Sequence, residues 1–273
     1  MKKNRIIRFI LLLLAFVELY SCSEEWIGPT LLGKMKAEYL YSSSEATEPY
    51  AVAQYFYDPS WNLVKKVVRV KPDAVTFMER YFYDDGRLMQ EDHYAVPQGA
   101  SGRYIREENL ALYDRYLYRY PAPEWKVEVH YDMEERVLVD SAIYEYKGND
   151  LVCERHYEVR DGGSWSITYR YDREGNLIEK REEPTGFRTE YIYENGRKVR
   201  ERQYDKQGTL IYENRVVHTT QKGYEIVEVY RVGNEKNQIF SRKVYRGDLL
   251  VEFIRYHPTF PGAEWVVIRY AYY

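Results

Sequence analysis

Cysteine is nearly absent from this chain, which carries Cys22 and Cys153 alone among 273 residues. The first of them is expected to be modified, as argued below. No internal disulfide then remains, and stability must come from packing and strand pairing. Histidine is scarce too: His93, His130, His156, His218 and His257 are scattered, with no H-E-x-x-H spacing and no cysteine partner. A metal site would have to be assembled entirely by the fold, and none is expected. A G-x-S-x-G elbow, a Gly-rich phosphate loop and a dinucleotide fingerprint are all missing, so no cofactor is expected either. Beyond residue 21, no stretch sustains the i, i+3, i+4, i+7 apolar spacing of a capped amphipathic helix. An all-β chain is what remains.

The one uninterrupted apolar run, Phe9 to Val17, is too short to be a permanent span, since a helix needs roughly 20 residues to cross a bilayer. It follows Lys2, Lys3, Arg5 and Arg8, and a small residue, Ser21, stands just before the expected break. This is the arrangement of a processed leader. Leu19-Tyr20-Ser21-Cys22 resembles the lipobox of bacterial lipoproteins, with Tyr20 standing where a smaller or β-branched residue is more usual. The resemblance implies cleavage after Ser21, a covalent lipid on Cys22 and delivery to the outer membrane. Ser23-Glu24-Glu25 is similar to the short acidic tags that send such proteins to the cell surface. Two or more acyl chains anchor stably where one is marginal. The expected organisation is a signal peptide over 1–21, lipidated cysteine and tether over 22–33, and one domain over 34–273.

The leader holds four of the 40 Lys+Arg and one of the 43 Asp+Glu, leaving 36 against 42 and a net charge of −6. A nucleic-acid partner, which would call for a basic face, is not expected. The abundant residue is tyrosine, at 31. Its ring suits a pleated, half-buried surface while its hydroxyl stays hydrated.

The tyrosines recur in a pattern of aromatic alternation, turn and second alternation, with anchors such as Tyr57 and Tyr83, or Tyr146, Tyr171 and Tyr193, spaced 22 to 26 residues apart. Spacing in that range marks a repeat architecture. The turn residues agree. Asp85-Gly86 and Asn195-Gly196 suit two-residue type I′ hairpins, and Gly148-Asn149, Gly233-Asn234 and Gly247-Asp248 suit type II′. In Asp172 to Asn176 and Asp205 to Thr209, a longer loop is expected, with the aspartate bonding its own backbone and Gly175 or Gly208 left-handed. The expectation is about 16 to 19 strands in a long antiparallel meander of repeated hairpins, forming a twisted, curled sheet or barrel-like roll.

Tyr171-Asp172-Arg173-Glu174-Gly175-Asn176-Leu177 and Tyr204-Asp205-Lys206-Gln207-Gly208-Thr209-Leu210 resemble the unit of YD-repeat, or Rhs-type, proteins. Other units are degenerate; Trp61 and Glu135, for instance, stand in place of the glycine. The resemblance implies a strand-turn-strand architecture that curls or closes on itself. It does not carry over the encapsulating role of long members. A membrane-spanning barrel is not expected. Along 198–204, Val199, Glu201 and Gln203 share one face and Lys198, Arg200 and Arg202 the other, so neither could meet lipid.

No catalytic residue is expected. Glu107-Glu108, Glu134-Glu135 and Glu182-Glu183 are pairs of neighbours, which on a strand point to opposite faces. Arg246-Gly247-Asp248 reads as a hairpin turn rather than an adhesion motif. Tyr169, Tyr171, Tyr191 and Tyr193 form rows that either pack across strands or offer a flat platform to a sugar. The expected role is non-catalytic binding or scaffolding, with a carbohydrate or an outer-membrane protein as partner. A glycan-binding accessory of a polysaccharide-uptake system and a polysaccharide-degrading enzyme are the alternatives.

Overall fold

A computed structural model of the chain describes residues 34–70, 74–97, 100, 105–233, 238–257, 260 and 262–273. The leader, Cys22 and the tether lie outside the described residues. Residues 33–273 form one compact unit, to which everything below refers.

The strands are β1 (Met35–Tyr41), β2 (Ala51–Tyr57), β3 (Leu63–Val70), β4 (Val75–Asp84), β5 (Arg87–Ala95) and β6 (Ala111–Ala122). Next come β7 (Trp125–Asp132), β8 (Val137–Lys147), β9 (Asp150–Glu158), β10 (Ser164–Tyr171), β11 (Leu177–Glu183) and β12 (Arg188–Glu194). The series ends with β13 (Arg197–Tyr204), β14 (Leu210–Gln221), β15 (Tyr224–Arg231), β16 (Gln238–Arg246), β17 (Leu249–Tyr256) and β18 (Glu264–Tyr272). Among the described residues the only helical element is a single 3-10 turn, Glu107–Asn109. Each strand pairs antiparallel with its sequence neighbours, and β18 returns to pair with β1, Leu40 facing Ile268. The sheet is a closed 18-stranded barrel, so it has no free edge.

The local turn chemistry explains the hairpins. Asp85 and Gly86, and likewise Asn195 and Gly196, both have positive φ, as a type I′ turn requires. Lys222 and Gly223 make the same turn without the usual Asn or Asp. Gly148 and Gly247 open the two-residue turns between β8 and β9 and between β16 and β17, which places Arg246-Gly247-Asp248 at a tight hairpin. Gly233 differs from expectation. Because β15 stops at Arg231 and β16 starts at Gln238, Gly233 sits in a longer connection rather than a two-residue turn, and Asn234 lies outside the described residues.

The Asp-led loops share one geometry. Asp172 Oδ1 accepts the backbone N–H of Glu174 and Asn176 at 3.0 and 2.8 Å, and Asp205 Oδ1 accepts those of Gln207 and Thr209 at 2.9 and 2.8 Å. Gly175 and Gly208 take the left-handed position, with φ of +85° and +82°. At the β2–β3 hairpin Asp58 Oδ1 accepts the Asn62 N–H at 2.8 Å, and the left-handed place is filled by Trp61, φ +62°. A side chain there costs about 1–2 kcal/mol relative to glycine.

Most hairpins contain a one-residue bulge, and the register shifts on reaching a tyrosine: Tyr57, Tyr83, Tyr146, Tyr171, Tyr193 and Tyr245 are examples. Bulges sharpen the twist that closes a barrel. They also reset which side chains share a face. The extra residue at Val199 brings Lys198 opposite Tyr193, with its Nζ 5.3 Å from the Tyr191 ring centroid and 3.9 Å from Glu201. Strict alternation had put Lys198 on the other side.

Candidate functional site

Register divides the strands into two faces, and one of them holds most of the enclosed polar groups, the buried Asp92 being on the other. Glu79, His93, Tyr116, Tyr118, Glu128, Tyr144, Glu154, Tyr191 and Asn214 are all on that face, as the pairings Glu79↔His93, Tyr116↔His130, Tyr118↔Glu128 and Tyr144↔Glu154 show. Side chains converge on the concave side of a curved sheet and splay on the convex side. The enclosed face is therefore the inner wall. A barrel of roughly eight strands is filled by its own side chains, whereas 16–18 strands leave an aqueous interior. Consistently, the inner-wall tyrosines other than Tyr118 and Tyr191 stay partly exposed.

A belt of tyrosine, carboxylate and histidine runs along this wall from β4 to β10. Phe77, His93, Tyr116 and His130, on four successive strands, contact ring to ring, with Tyr116 and His130 stacked at 4.3 Å and 8°. Farther along, His156 stacks on Trp165 at 3.6 Å and 6°. The polar atoms of the belt answer one another. Tyr118 donates its hydroxyl to Glu91 at 3.1 Å, Tyr169 to Glu154 at 2.6 Å and Tyr144 to Glu128 at 3.4 Å. Lys126 Nζ lies 3.9 Å from Glu128 and 3.9 Å from the Tyr144 ring centroid. Burial, followed by the neighbouring carboxylates, pushes the phenols of Tyr116, Tyr118, Tyr144 and Tyr191 far up. They stay protonated, and Tyr118 and Tyr144 act as donors.

His130 is held at both ring nitrogens, Nε2 2.9 Å from Asp114 and Nδ1 3.1 Å from Asp140. Burial disfavours its cation, but the two aspartates outweigh burial and raise its pKa to about 9. A histidine whose folded pKa is raised stabilises fully below its unfolded pKa of about 6.5 and loses that contribution as pH rises through about 9. After allowance for solvent screening, about 1–2 kcal/mol is expected to vanish between pH 6.5 and 9.5. Urea midpoints at the two pH values check this, since the difference should shrink by that amount in His130→Gln.

The structure places the four sequence-derived tyrosines on the inner wall. Tyr169 and Tyr171 neighbour β9 and Tyr191 and Tyr193 neighbour β13, with Tyr191 only 5% exposed. The Tyr171 hydroxyl donates to the Leu151 carbonyl at 3.0 Å. The arrangement recurs: Tyr120 donates to Leu88 O at 3.0 Å, Tyr272 to Leu250 O at 2.7 Å and His218 Nε2 to Lys198 O at 2.9 Å. Each accepting carbonyl lies two residues past the last ladder pair with the next strand. There the strands have splayed, and the long side chain spans the gap. Tyr171→Phe is expected to cost about 1 kcal/mol through the lost bond, seen as a lower urea midpoint with an unchanged m-value.

The belt residues His93, His130, Asp114, Asp140 and Trp165 were not singled out as a group from sequence, because they sit on different strands. They meet only through the final ladder register, bulges included, which sets His130 opposite both Asp140 and Tyr116. Among the described residues, no cluster of three or more His, Cys, Asp or Glu is arranged to hold a metal ion. Cys153 is buried on the outer face, between Glu145 and Thr168. That outer wall carries cross-strand ion pairs, including Arg115–Asp92 at 2.7 Å, Arg155–Glu145 at 3.3 Å, Arg170–Glu179 at 3.3 Å and Arg269–Glu252 at 3.2 Å.

No protein-family model matches the chain, and no curated protein does. Among solved structures, a porin-like protein from Bacteroides uniformis aligns over 90% of this chain and 98% of its own, at 10% identity and a TM-score of 0.41. Likeness at that level carries no functional argument. The barrel stands on its own strand pairing.

Proposed function

We propose that this chain is a lipid-anchored outer-membrane protein, displayed at the cell surface, whose closed barrel serves as a non-catalytic binding or scaffolding module. The observation that carries the reading is the division of the two walls. From β4 to β10 the inner wall carries a tyrosine-carboxylate-histidine belt, while the outer wall is studded with Arg–carboxylate pairs. An outer wall of that kind does not suit lipid, which requires an apolar band about 25 Å tall. The barrel is then held at the membrane by its N-terminal lipid instead of spanning the bilayer. Belt groups that would be candidates for catalysis are committed to each other: both His130 nitrogens face aspartates, Glu91 takes His93 and Tyr118, and the phenols are kept neutral.

A glycan is the ligand class that best fits the belt. Trp165, 38% exposed, presents a ring stacked on His156 with Glu154 and Tyr169 beside it, which matches the apolar face and hydroxyl edge of a sugar. Two measurements test the reading. Feeding cells labelled palmitate should label the intact chain but not Cys22→Ala, and absence of label removes the anchor. A glycan-array and whole-cell pull-down screen with protein starting at Ser23 should enrich a polysaccharide, and Trp165→Ala should weaken it. Enrichment of a membrane protein alone would favour scaffolding over glycan binding.

A further inference from the structure

Where the loops led by Asp172 and Asp205 have glycine, the matching loop at the β2–β3 hairpin has tryptophan in the same left-handed conformation. Trp61 is also 52% exposed. A residue that is strained in the backbone and left in water on its apolar face is not there for the fold. Around it, Tyr57 and Tyr273 complete a cluster, the three ring centroids lying 6.0 to 6.3 Å apart, with Tyr273 also 61% exposed. Lys34 Nζ and Lys36 Nζ stand over Tyr57 and Tyr273 at 5.9 and 5.4 Å from their centroids.

The cluster sits on the rim where β1 begins and the β2–β3 hairpin turns, and the Tyr273 N–H donates to the Lys34 carbonyl at 2.9 Å. Residues 22–33 join that rim to Cys22, and even fully extended they reach about 40 Å at most. We infer that the Trp61–Tyr57–Tyr273 cluster, with Lys34 and Lys36, docks into the phospholipid headgroup layer of the membrane that holds the chain's own anchor. Tryptophan and tyrosine favour the membrane–water boundary because one end of each is apolar and the other wet, and lysine pairs with lipid phosphate there. The barrel would stand on this rim. The inference rests on the lipidation of Cys22, and the experiment separates the two.

Full-length protein carrying Trp26→Phe, which removes the indole nearest the anchor in sequence, is mixed with phosphatidylethanolamine/phosphatidylglycerol vesicles whose acyl chains are brominated near the headgroup. Tryptophan quenching is expected, and it should disappear when Trp61→Gly is added. Glycine is what the two equivalent loops carry, so this variant should keep its fold; if it does not, Trp61→Asn replaces it, since asparagine also tolerates positive φ. Equal quenching with and without Trp61 while the protein still floats with the vesicles overturns the docking surface and leaves the anchor standing. Flotation that is lost equally by the parent and by Cys22→Ser overturns both. Trp61 protected from quencher by a co-purifying protein would assign the cluster to a protein partner and overturn the lipid assignment.

Discussion

Replacing Glu79 by alanine is expected to destabilise the barrel by about 3–5 kcal/mol. Glu79 and Lys66 face each other across the β3–β4 ladder on the inner wall, 3.3 Å apart, with only 5% and 6% of their side chains exposed. Tyr81 donates its hydroxyl to the second carboxylate oxygen, and the Tyr55 ring lies beneath the ammonium, 5.7 Å from its centroid. Taking two charges out of water costs several kcal/mol each, and their mutual attraction roughly repays it. Alanine removes this attraction and the bond from Tyr81 while the ammonium stays enclosed, so much of the desolvation penalty appears. The double replacement Lys66→Met with Glu79→Leu removes both charges at similar volume. It is expected to cost clearly less than Glu79→Ala alone, because no charge of the pair is left enclosed without the other. Urea unfolding of the two variants checks the pair, and equal losses in both would assign the effect to packing instead of charge.

The hairpins were legible in the sequence because their causes are local. Period-two aromatic alternation and Asp-Gly or Asn-Gly turns act within a few residues, and the strand count came out within the expected range. What was not legible depends on register. Whether the meander curls or closes is decided by β1 meeting β18 more than 200 residues away, and no local pattern encodes that meeting. Bulges are equally silent: Lys198 changes side because Val199 is an extra residue, and Val199 looks like any strand valine. At Lys222-Gly223 a tight turn forms without its usual residues, while at Gly233 the usual residues do not make one.

The candidate site shows the same division. Rows of tyrosine were visible, and so was their dual reading as packing or platform. The clamp of Asp114 and Asp140 on His130 was not, since its members come from β6, β7 and β8 and meet only once register is fixed. Trp61 was visible as a departure from the repeat. Its meaning needed the backbone angle, the exposure and the nearness of Lys34.

Truncating Ile268 to alanine is expected to cost about 2–5 kcal/mol, and the kinetics should report where in folding the barrel closes. Ile268 is 1% exposed and sits in β18 between Leu40 of β1 and Phe253 of β17, so the cavity would open at the closing seam itself. Every other ladder joins sequence neighbours and can form with a short loop closed. The β1–β18 ladder joins segments more than 200 residues apart, so its closure entropy is the largest in the fold and closure is expected to follow the hairpins. Contacts made after the transition state affect unfolding alone. Ile268→Ala should therefore speed unfolding and leave the folding limb of the chevron nearly unchanged. Ile167→Ala in β10, a comparably buried residue in a ladder of sequence neighbours, is expected to slow folding as well. If Ile268→Ala instead slows folding by the full loss of stability, the seam forms early and the hairpins assemble upon it.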